Sequence, residues 1–272
     1  MLKRLRDLLG FNRHSATLFS GFLLTCFLIV YIWWPLVEEY FLYFDGRYAW
    51  YVYIDWLLLG IFGFMSLTIM ARANLRVDAL IILVGMGGGL VIESWGTQTN
   101  LWHYYTAERP PLWIIPAWPI ASLSIDRITR SLGWATAKWS DSIFRALYWP
   151  VMGIFYLMMM VFVAPTFDKP YTWVALVISA LMILTPPSQR MALLVFLAGS
   201  ALGYFLELWG TTRECWTYYT NETPPAFAVF AHGMAAVAFW RTGLLVEQVW
   251  GKIVSSPKIS ALGGFWGRLG GG

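Results

Sequence analysis

The chain has 272 residues, of which 58% are hydrophobic and only 12% are charged. Its mean hydropathy of +0.59 and its 17 Trp residues are typical of a membrane protein with several spans and exclude an ordinary soluble domain. The net charge of +4 is small, and its distribution along the chain indicates membrane orientation rather than binding to nucleic acid.

The chain begins with a basic segment, residues 1–15, which we expect to lie as an amphipathic stretch on the inner membrane surface. Residues 251–272, which end in three glycines, are predicted to form a flexible tail. Between these two segments lie eight apolar stretches, each about as long as the roughly 20 residues that cross a bilayer. They are 16–40, 50–71, 77–96, 111–128, 146–166, 170–187, 190–210 and 226–248.

One segment of the chain occurs twice. Residues 93–111 return as residues 207–225, 114 residues later and without a gap, with Glu, Trp, Gly, Thr, Trp, Tyr, Tyr, Thr, Glu, Pro and Pro in common. A repeat of such unusual residues indicates an internal duplication. We therefore predict an all-α polytopic membrane protein of about eight transmembrane helices. It would consist of two parallel four-helix repeats, residues 16–130 and 144–250, related by an axis along the membrane normal.

The basic residues predict the orientation of these helices. With both termini inside, all but four of the 19 Lys and Arg residues lie on the inner side, as the positive-inside rule requires. Arg127 and Arg241, 114 residues apart, are interpreted as anchors at the inner surface. We predict a bacterial inner (cytoplasmic) membrane protein whose repeated loops face the periplasm. The four outer exceptions are Arg47, Arg109, Lys169 and Arg213.

Each repeated loop follows a helix with two glycines and a glutamate on one face. Small residues four positions apart allow helices to approach closely in lipid. The spacing predicts that the third predicted span packs against the seventh, which would bring the two glutamates together near the outer leaflet. The residues on these faces are Gly85, Gly89 and Glu93 in the first copy, and Gly199, Gly203 and Glu207 in the second.

Glu93 and Glu207 are the candidate catalytic residues. A carboxyl within a membrane span is costly and marks a functional site by default, and two carboxyls that meet favour sharing one proton, as general acid and base pairs do. The alternative is structural: each glutamate ties its own Trp/Tyr loop by hydrogen bonds. The sequence leaves both interpretations open.

The aromatic residues of the two loops are the candidate substrate-binding residues. Trp and Tyr are enriched at membrane interfaces anyway, but their identical spacing in both copies also suits an apolar pocket that stabilises a cation by cation–π attraction. No Cys/His spacing resembles a metal site and no cofactor fingerprint is present, so we predict neither metal nor cofactor. The aromatic candidates are Trp95, Trp102, Tyr104, Tyr105, Trp209, Trp216, Tyr218 and Tyr219.

The first copy, followed by a helix with Pro116 and Pro119, resembles the signature of the carotenoid-biosynthesis membrane family, which includes carotenoid 1,2-hydratases. In that signature an intramembrane Glu is followed by Gly-Thr, Thr, Tyr-x-Tyr and a Pro-rich helix. More distantly, the chain is similar to small intramembrane lycopene cyclases and fungal membrane terpene cyclases. The likeness covers residues 93–120 well and 207–225 in weaker form. The glycine-rich turn of the family is replaced here by residues 100–103.

The resemblance implies cofactor-free acid chemistry on a polyisoprenoid. A protonated Glu93 or Glu207 would donate to a terminal double bond, and the partner carboxylate would position water for hydration or remove a proton to complete a cyclisation. The tertiary cation would be stabilised by Trp102, Tyr105, Trp216 and Tyr219.

Two other functions remain open from the sequence. The protein is alternatively a non-enzymatic subunit or scaffold of a membrane complex that binds lipid, quinone or pigment, with many aromatic residues facing its partners. Parallel repeats also permit a transporter. The expected partners are membrane lipid or an isoprenoid, and the protein could join a membrane complex or form a homo-oligomer. We expect no nucleic-acid partner.

Overall fold

The computed structural model describes residues 10–254, so residues 1–9 of the predicted N-terminal segment and residues 255–272 of the predicted tail lie outside it. Within the described range it contains nine α-helices and one two-stranded antiparallel sheet, and the predicted all-α class is confirmed. The helices are α1 (Arg13–Ile32), α2 (Trp34–Leu42), α3 (Trp56–Met70), α4 (Leu75–Gln98), α5 (Ala117–Ala135), α6 (Asp141–Val163), α7 (Pro170–Leu184), α8 (Gln189–Thr212) and α9 (Ala226–Val254). The strands are β1 (Trp102–Tyr104) and β2 (Trp216–Tyr218).

Five helices of the described range, α1, α4, α6, α8 and α9, are long and apolar enough to cross a membrane. They indicate a multi-pass membrane protein. The remaining predicted spans are shorter or more polar. Helices α3 and α7 have 15 residues each, about 22 Å at 1.5 Å per residue, and α5 carries Asp126, Arg127 and Arg130.

The first predicted span, residues 16–40, is divided into two helices. Helix α1 ends before Trp33, and α2 begins at Trp34 with Pro35 in its first turn. Proline lacks an amide hydrogen and its ring blocks the preceding turn, so it is accepted at the start of a helix but ends a longer one. Hydropathy alone does not register this break.

Polar residues cap the helices at the end of the bundle opposite the strands. Asn12 accepts hydrogen bonds from the amides of His14 and Ser15 and so caps α1. Its side-chain amide also donates to the carbonyl of Ala73 at 2.9 Å, just before α4 begins. Asn74 caps α4 in the same way. Neighbouring caps therefore fasten the starts of α1 and α4 together.

The glycine faces pack within each half of the chain, so the predicted packing of the third span on the seventh through these glycines is wrong. Gly85 and Gly89 of α4 face α5, and a Cβ on Gly89 would lie 2.4 Å from the Trp118 side chain. In the same way, a Cβ on Gly199 of α8 would lie 2.7 Å from the carbonyl oxygen of His232 on α9. The glycines allow the next helix in the chain to pack closely, because its Trp118 or His232 lies against the glycine backbone.

The two halves meet through other contacts of the same four helices. Helix α4 packs against α9, and α5 packs against α8. The outer helices differ between the halves: α6 packs against both α8 and α9, whereas α1 packs chiefly against α3. Helix α6 therefore occupies a position beside α8 that no corresponding helix of the described range occupies beside α4.

One of the two predicted inner anchors is buried. Arg127 of α5 is only 6% exposed, and its Nη2 donates to both carboxylate oxygens of Asp78 at 2.8 Å. Its Nε donates to the carbonyl of Ala71. Removing one member of such a buried pair leaves the other charge uncompensated, so Arg127 holds α4 and α5 together instead of only marking the membrane surface. Arg241 contacts the carbonyl of Met182 instead.

Candidate functional site

The two strands join the two copies of the repeated segment. They are antiparallel, with His103 opposite Thr217, Trp102 opposite Tyr218, and Tyr104 opposite Trp216. His103 and Thr217 hold the same position in their copies, so the pairing is centred on that shared position. Each strand follows the helix that carries the glutamate, and the pairing brings the ends of α4 and α8 to one site.

Glu93 lies at the centre of a hydrogen-bond network in the first copy. It is 3% exposed, and its Oε2 accepts from Trp102 Nε1 at 3.1 Å. Its Oε1 accepts from the Tyr104 hydroxyl at 2.9 Å and from Trp118 Nε1 at 3.1 Å. Trp118 belongs to α5, so the carboxylate joins a helix, a strand and the next helix.

Glu207 has the corresponding contacts in the second copy. It is 2% exposed, and its Oε2 accepts from Trp216 Nε1 at 2.9 Å, while its Oε1 accepts from the Tyr218 hydroxyl at 2.9 Å. The third partner is His232 of α9, whose Nε2 lies 2.8 Å from the same Oε1. The predicted hydrogen bonds between each glutamate and its own loop are thus present.

Trp118 and His232 are site residues that the sequence interpretation did not include. Each lies 25 residues after its glutamate, and this equal offset is the signal that could have identified them. Their rings stack, with centroids 5.8 Å apart and an interplanar angle of 19°. An indole N–H can only donate, whereas an imidazole nitrogen can donate or accept. The two carboxyls therefore differ in their capacity to exchange a proton.

Two tyrosines keep their protons beside these carboxyls. Burial, followed by the neighbouring Glu93, raises the pKa of Tyr104 well above its usual range. Burial and then Glu207 do the same to the pKa of Tyr218. Both hydroxyls therefore remain donors to the two carboxyls.

Both carboxyls line one cavity of about 1060 Å³, at the upper end of the size range of small-molecule sites. Its walls come mostly from apolar side chains of α1, α3, α4, α7 and α9. Val91 of α4 and Val174 of α7 line it and are 69% and 54% exposed. The cavity therefore opens on the sides of the bundle, where lipid would lie in a membrane.

Six of the eight aromatic candidates line this cavity, and two do not. The Tyr105 hydroxyl donates to the carbonyl of Ile32, and the Tyr219 hydroxyl donates to the carbonyl of Phe162. These two tyrosines fasten the loops to α1 and α6, and their predicted contact with a substrate stays a prediction. The six that line the cavity are Trp95, Trp102, Tyr104, Trp209, Trp216 and Tyr218.

Asp55 is a further polar residue at this end of the bundle. It caps α3 by accepting from the Leu58 amide, and it also accepts from Trp209 Nε1 at 2.8 Å and Arg213 Nε at 3.0 Å. Partial burial opposes its ionisation, but these hydrogen bonds and the Arg213 charge outweigh burial and lower the pKa of Asp55. Asp55 thus links the start of α3 to the end of α8.

Among the described residues, no group of three His, Cys, Asp or Glu side chains is arranged to hold a metal ion. No protein-family model, curated protein or solved structure matches the chain.

Proposed function

We propose that the protein catalyses acid-initiated hydration or cyclisation of a polyisoprenoid within the membrane. The observation that carries this proposal is the placement of two buried carboxyls, Glu93 and Glu207, on the wall of a large apolar cavity that opens to the sides of the bundle. Two ionisable groups are costly to bury in apolar surroundings, which marks them as functional. The apolar walls of the cavity suit a long hydrocarbon as substrate.

We further propose that the fold comprises two parallel four-helix repeats, with the strands on the periplasmic side of a bacterial inner membrane. Three features support this: the 114-residue period, the matching contacts of Glu93 and Glu207, and the strand pairing centred on equivalent positions. The distribution of Lys and Arg supports the orientation. The resemblance to the carotenoid-biosynthesis family supports a carotenoid-type substrate.

The proton donor in this proposal is Glu207. Its carboxyl adds a proton to a terminal double bond of the substrate, which leaves a tertiary cation on the neighbouring carbon. His232, 2.8 Å from Oε1, accepts or returns a proton and so restores the acid for the next cycle. Glu93 is the second carboxyl of the site and does not exchange this proton, because two of its three partners are indole N–H groups, which can only donate.

The cation has two fates, and each restores the enzyme. Water adds through its oxygen and its extra proton returns to the Glu207–His232 pair, which gives a tertiary alcohol. In a cyclisation, an internal double bond attacks the cation and a carbon–carbon bond forms, which moves the positive charge to another carbon of the substrate. The carbon next to this new cation then loses a proton to the same pair, and a new double bond forms. Trp102 and Trp216 line the cavity beside the carboxyls, and their rings stabilise the cation.

The competing function is a scaffold that holds lipid, quinone or pigment without chemistry. The hydrogen bonds that tie each glutamate to its own strand favour it, because such ties alone account for a buried carboxyl. The two functions differ in what the glutamates must do. A scaffold needs only a hydrogen-bond acceptor there, whereas the enzyme needs a group that gives and takes a proton.

The test is mass spectrometry of lipid extracts from cells that carry the wild type, Glu93→Gln or Glu207→Gln. The matched controls are Glu108→Gln and Glu222→Gln, which alter exposed glutamates at equivalent positions of the two loops. We expect a prenyl product that has gained water or a ring with the wild type and both controls but not with Glu207→Gln. Identical extracts from all five proteins, with an unchanged lipid or pigment co-purifying, would support the scaffold and contradict the enzyme.

A further inference from the structure

The cavity continues from the two carboxyls towards the opposite end of the bundle as a groove between α4, α7 and α9. Helix α9 forms the floor of this groove, because it packs against both of the other helices. The lining on α9 extends from Phe227 to Thr242, which is about 22 Å at 1.5 Å per residue. On α7, Ile178 lines the groove and is 47% exposed. The groove therefore runs along the helices and is open at the side.

Small residues make the groove deep. On α4, Gly87 and Gly88 line it, and no neighbouring group lies within 4 Å of a Cβ built on Gly87. On α9, three alanines at helical spacing line it: Ala231, Ala235 and Ala238. Larger side chains at these positions would fill the space that a ligand could occupy.

Phe239 of α9 reaches across to α4. A Cβ on Gly88 would lie 2.0 Å from the Phe239 ring, so this ring rests directly on the glycine backbone. The ring also meets Trp118 edge-on, with centroids 5.9 Å apart. Phe239 lies two helical turns, about 10 Å, beyond His232 on the same helix. A chain that starts at Glu207 and follows the groove therefore passes Phe239.

The two halves of the chain differ at the positions that form the groove. Leu202 stands in the second copy where the first copy has Gly88. Ile125 stands in the first half where the second half has Phe239. Leu202 and Ile125 are both buried, and neither lines the cavity. A pair of ordinary packing residues in one place is thus replaced in the other by a glycine and a ring that leave an open groove beside them.

We infer that Gly87 and Phe239 determine which hydrocarbon chains the protein accepts, because the chain of the substrate lies in this groove. The terminal double bond is at Glu207, and the chain extends along α9 past Phe239. The groove is continuous with the cavity that both carboxyls line, so a chain within it presents its end to the acid. This inference rests on the proposed function, since it specifies how the same site selects its substrate.

The test measures dissociation constants for a series of prenyl hydrocarbons that lengthen by one isoprene unit at a time, on the purified full-length protein. Gly87→Leu fills the groove without meeting a neighbour, and Phe239→Ala removes the ring. The control is Gly63→Leu on α3, at an exposed glycine that also has open space around it but does not line the cavity. Melting temperatures establish equal folding. Gly87→Ala and Phe239→Leu are milder substitutions that should give smaller effects in the same directions.

We expect Gly87→Leu to weaken the binding of long probes about tenfold or more, since one methylene too many in an apolar pocket costs about 10–200-fold. Probes too short to reach Phe239 should bind as they do to the wild type. Phe239→Ala should move the tightest binding to a longer probe, and Gly63→Leu should change nothing. Long probes that bind Gly87→Leu as tightly as the wild type would overturn the inference. Equal weakening of short and long probes, or a length preference that Phe239→Ala does not move, would also overturn it.

An acyl chain of the bilayer is the competing occupant of the groove. The series is therefore repeated with saturated hydrocarbons of matched length. We expect them to bind more weakly than the prenyl probes and to respond less to Gly87→Leu. Saturated probes that bind equally well and lose the same affinity would assign the groove to bilayer lipid and contradict the inference.

The two proposals fail separately, because binding and conversion are measured independently. Binding that depends on chain length as expected, without conversion of any prenyl hydrocarbon, contradicts the proposed catalysis and leaves this inference intact. Conversion with the same dependence on chain length in the wild type, Gly87→Leu and Phe239→Ala contradicts this inference alone.

Discussion

At the scale of single residues, two otherwise similar carboxyl sites differ in one partner, which is Trp118 for Glu93 and His232 for Glu207. Both residues reach their glutamate from the next helix, at 3.1 Å and 2.8 Å. Only the imidazole has a ring nitrogen that can either donate or accept a hydrogen bond. In the proposed mechanism, this difference assigns the exchanged proton to Glu207 and His232 instead of Glu93.

This assignment predicts unequal effects of two substitutions. His232→Gln should lower the conversion rate by about 100-fold or more, since general acid–base groups contribute about 10²–10⁴-fold, while the amide still bonds to Glu207. Trp118→Phe removes one donor to Glu93 and should retain conversion within about tenfold, because one net hydrogen bond is worth about 1 kcal/mol. Rates are measured on the purified variants after equal folding is established by their melting temperatures. Equal losses in the two variants would contradict the assignment.

At the scale of elements, each helix that carries a glutamate also has a glycine beneath the Trp of its strand. A Cβ on Gly210 would lie 2.0 Å from the ring of Trp216. The adjacent Cys215 is 2% exposed, and burial raises the pKa of its thiol to about 12. Both effects keep this thiol unreactive.

The packing of Gly210 predicts the accessibility of Cys215. In a Cys26→Ala background, a water-soluble maleimide should label Cys215 slowly. Gly210→Ala should raise the labelling rate about tenfold or more, because overpacking costs about 1–3 kcal/mol and loosens the strand. Gly133→Ala, at a glycine with open space around it, is the control and should leave the rate unchanged. Similar rates for the wild type and Gly210→Ala would show that the strand does not depend on this contact.

The link from α3 to α8 through Asp55 predicts a pH dependence of stability. The lowered pKa of Asp55 contributes stability that is complete above its unfolded pKa, about 3.9, and is lost as the pH falls through the folded value. Asp55→Asn should therefore lower the melting temperature at pH 7 by about 2–4 °C, as a loss of about 1 kcal/mol does. The difference from wild type should shrink below about pH 4. A difference that stays constant to lower pH would rule out the charge of Asp55 as its cause.

At the scale of the whole molecule, the sequence predicted what depends on local chemistry. Long apolar stretches predicted the long helices. The sequence also predicted that Glu93 and Glu207 approach each other, but through glycine contacts between the halves that the structure does not show. It did not predict which helix the glycines contact, because a small residue permits close approach without specifying the partner. Trp118 and His232 were missed for a related reason, since their role depends on packing across a 25-residue gap.

The central claim is that Glu207 gives a proton to a polyisoprenoid in the cavity. The most direct measurement is conversion of the substrate by the purified protein in heavy water, followed by mass spectrometry of the product. The account predicts one carbon-bound deuterium per product molecule with the wild type and with Glu222→Gln, and no product with Glu207→Gln. A product without deuterium, or equal labelling by Glu207→Gln, would contradict it.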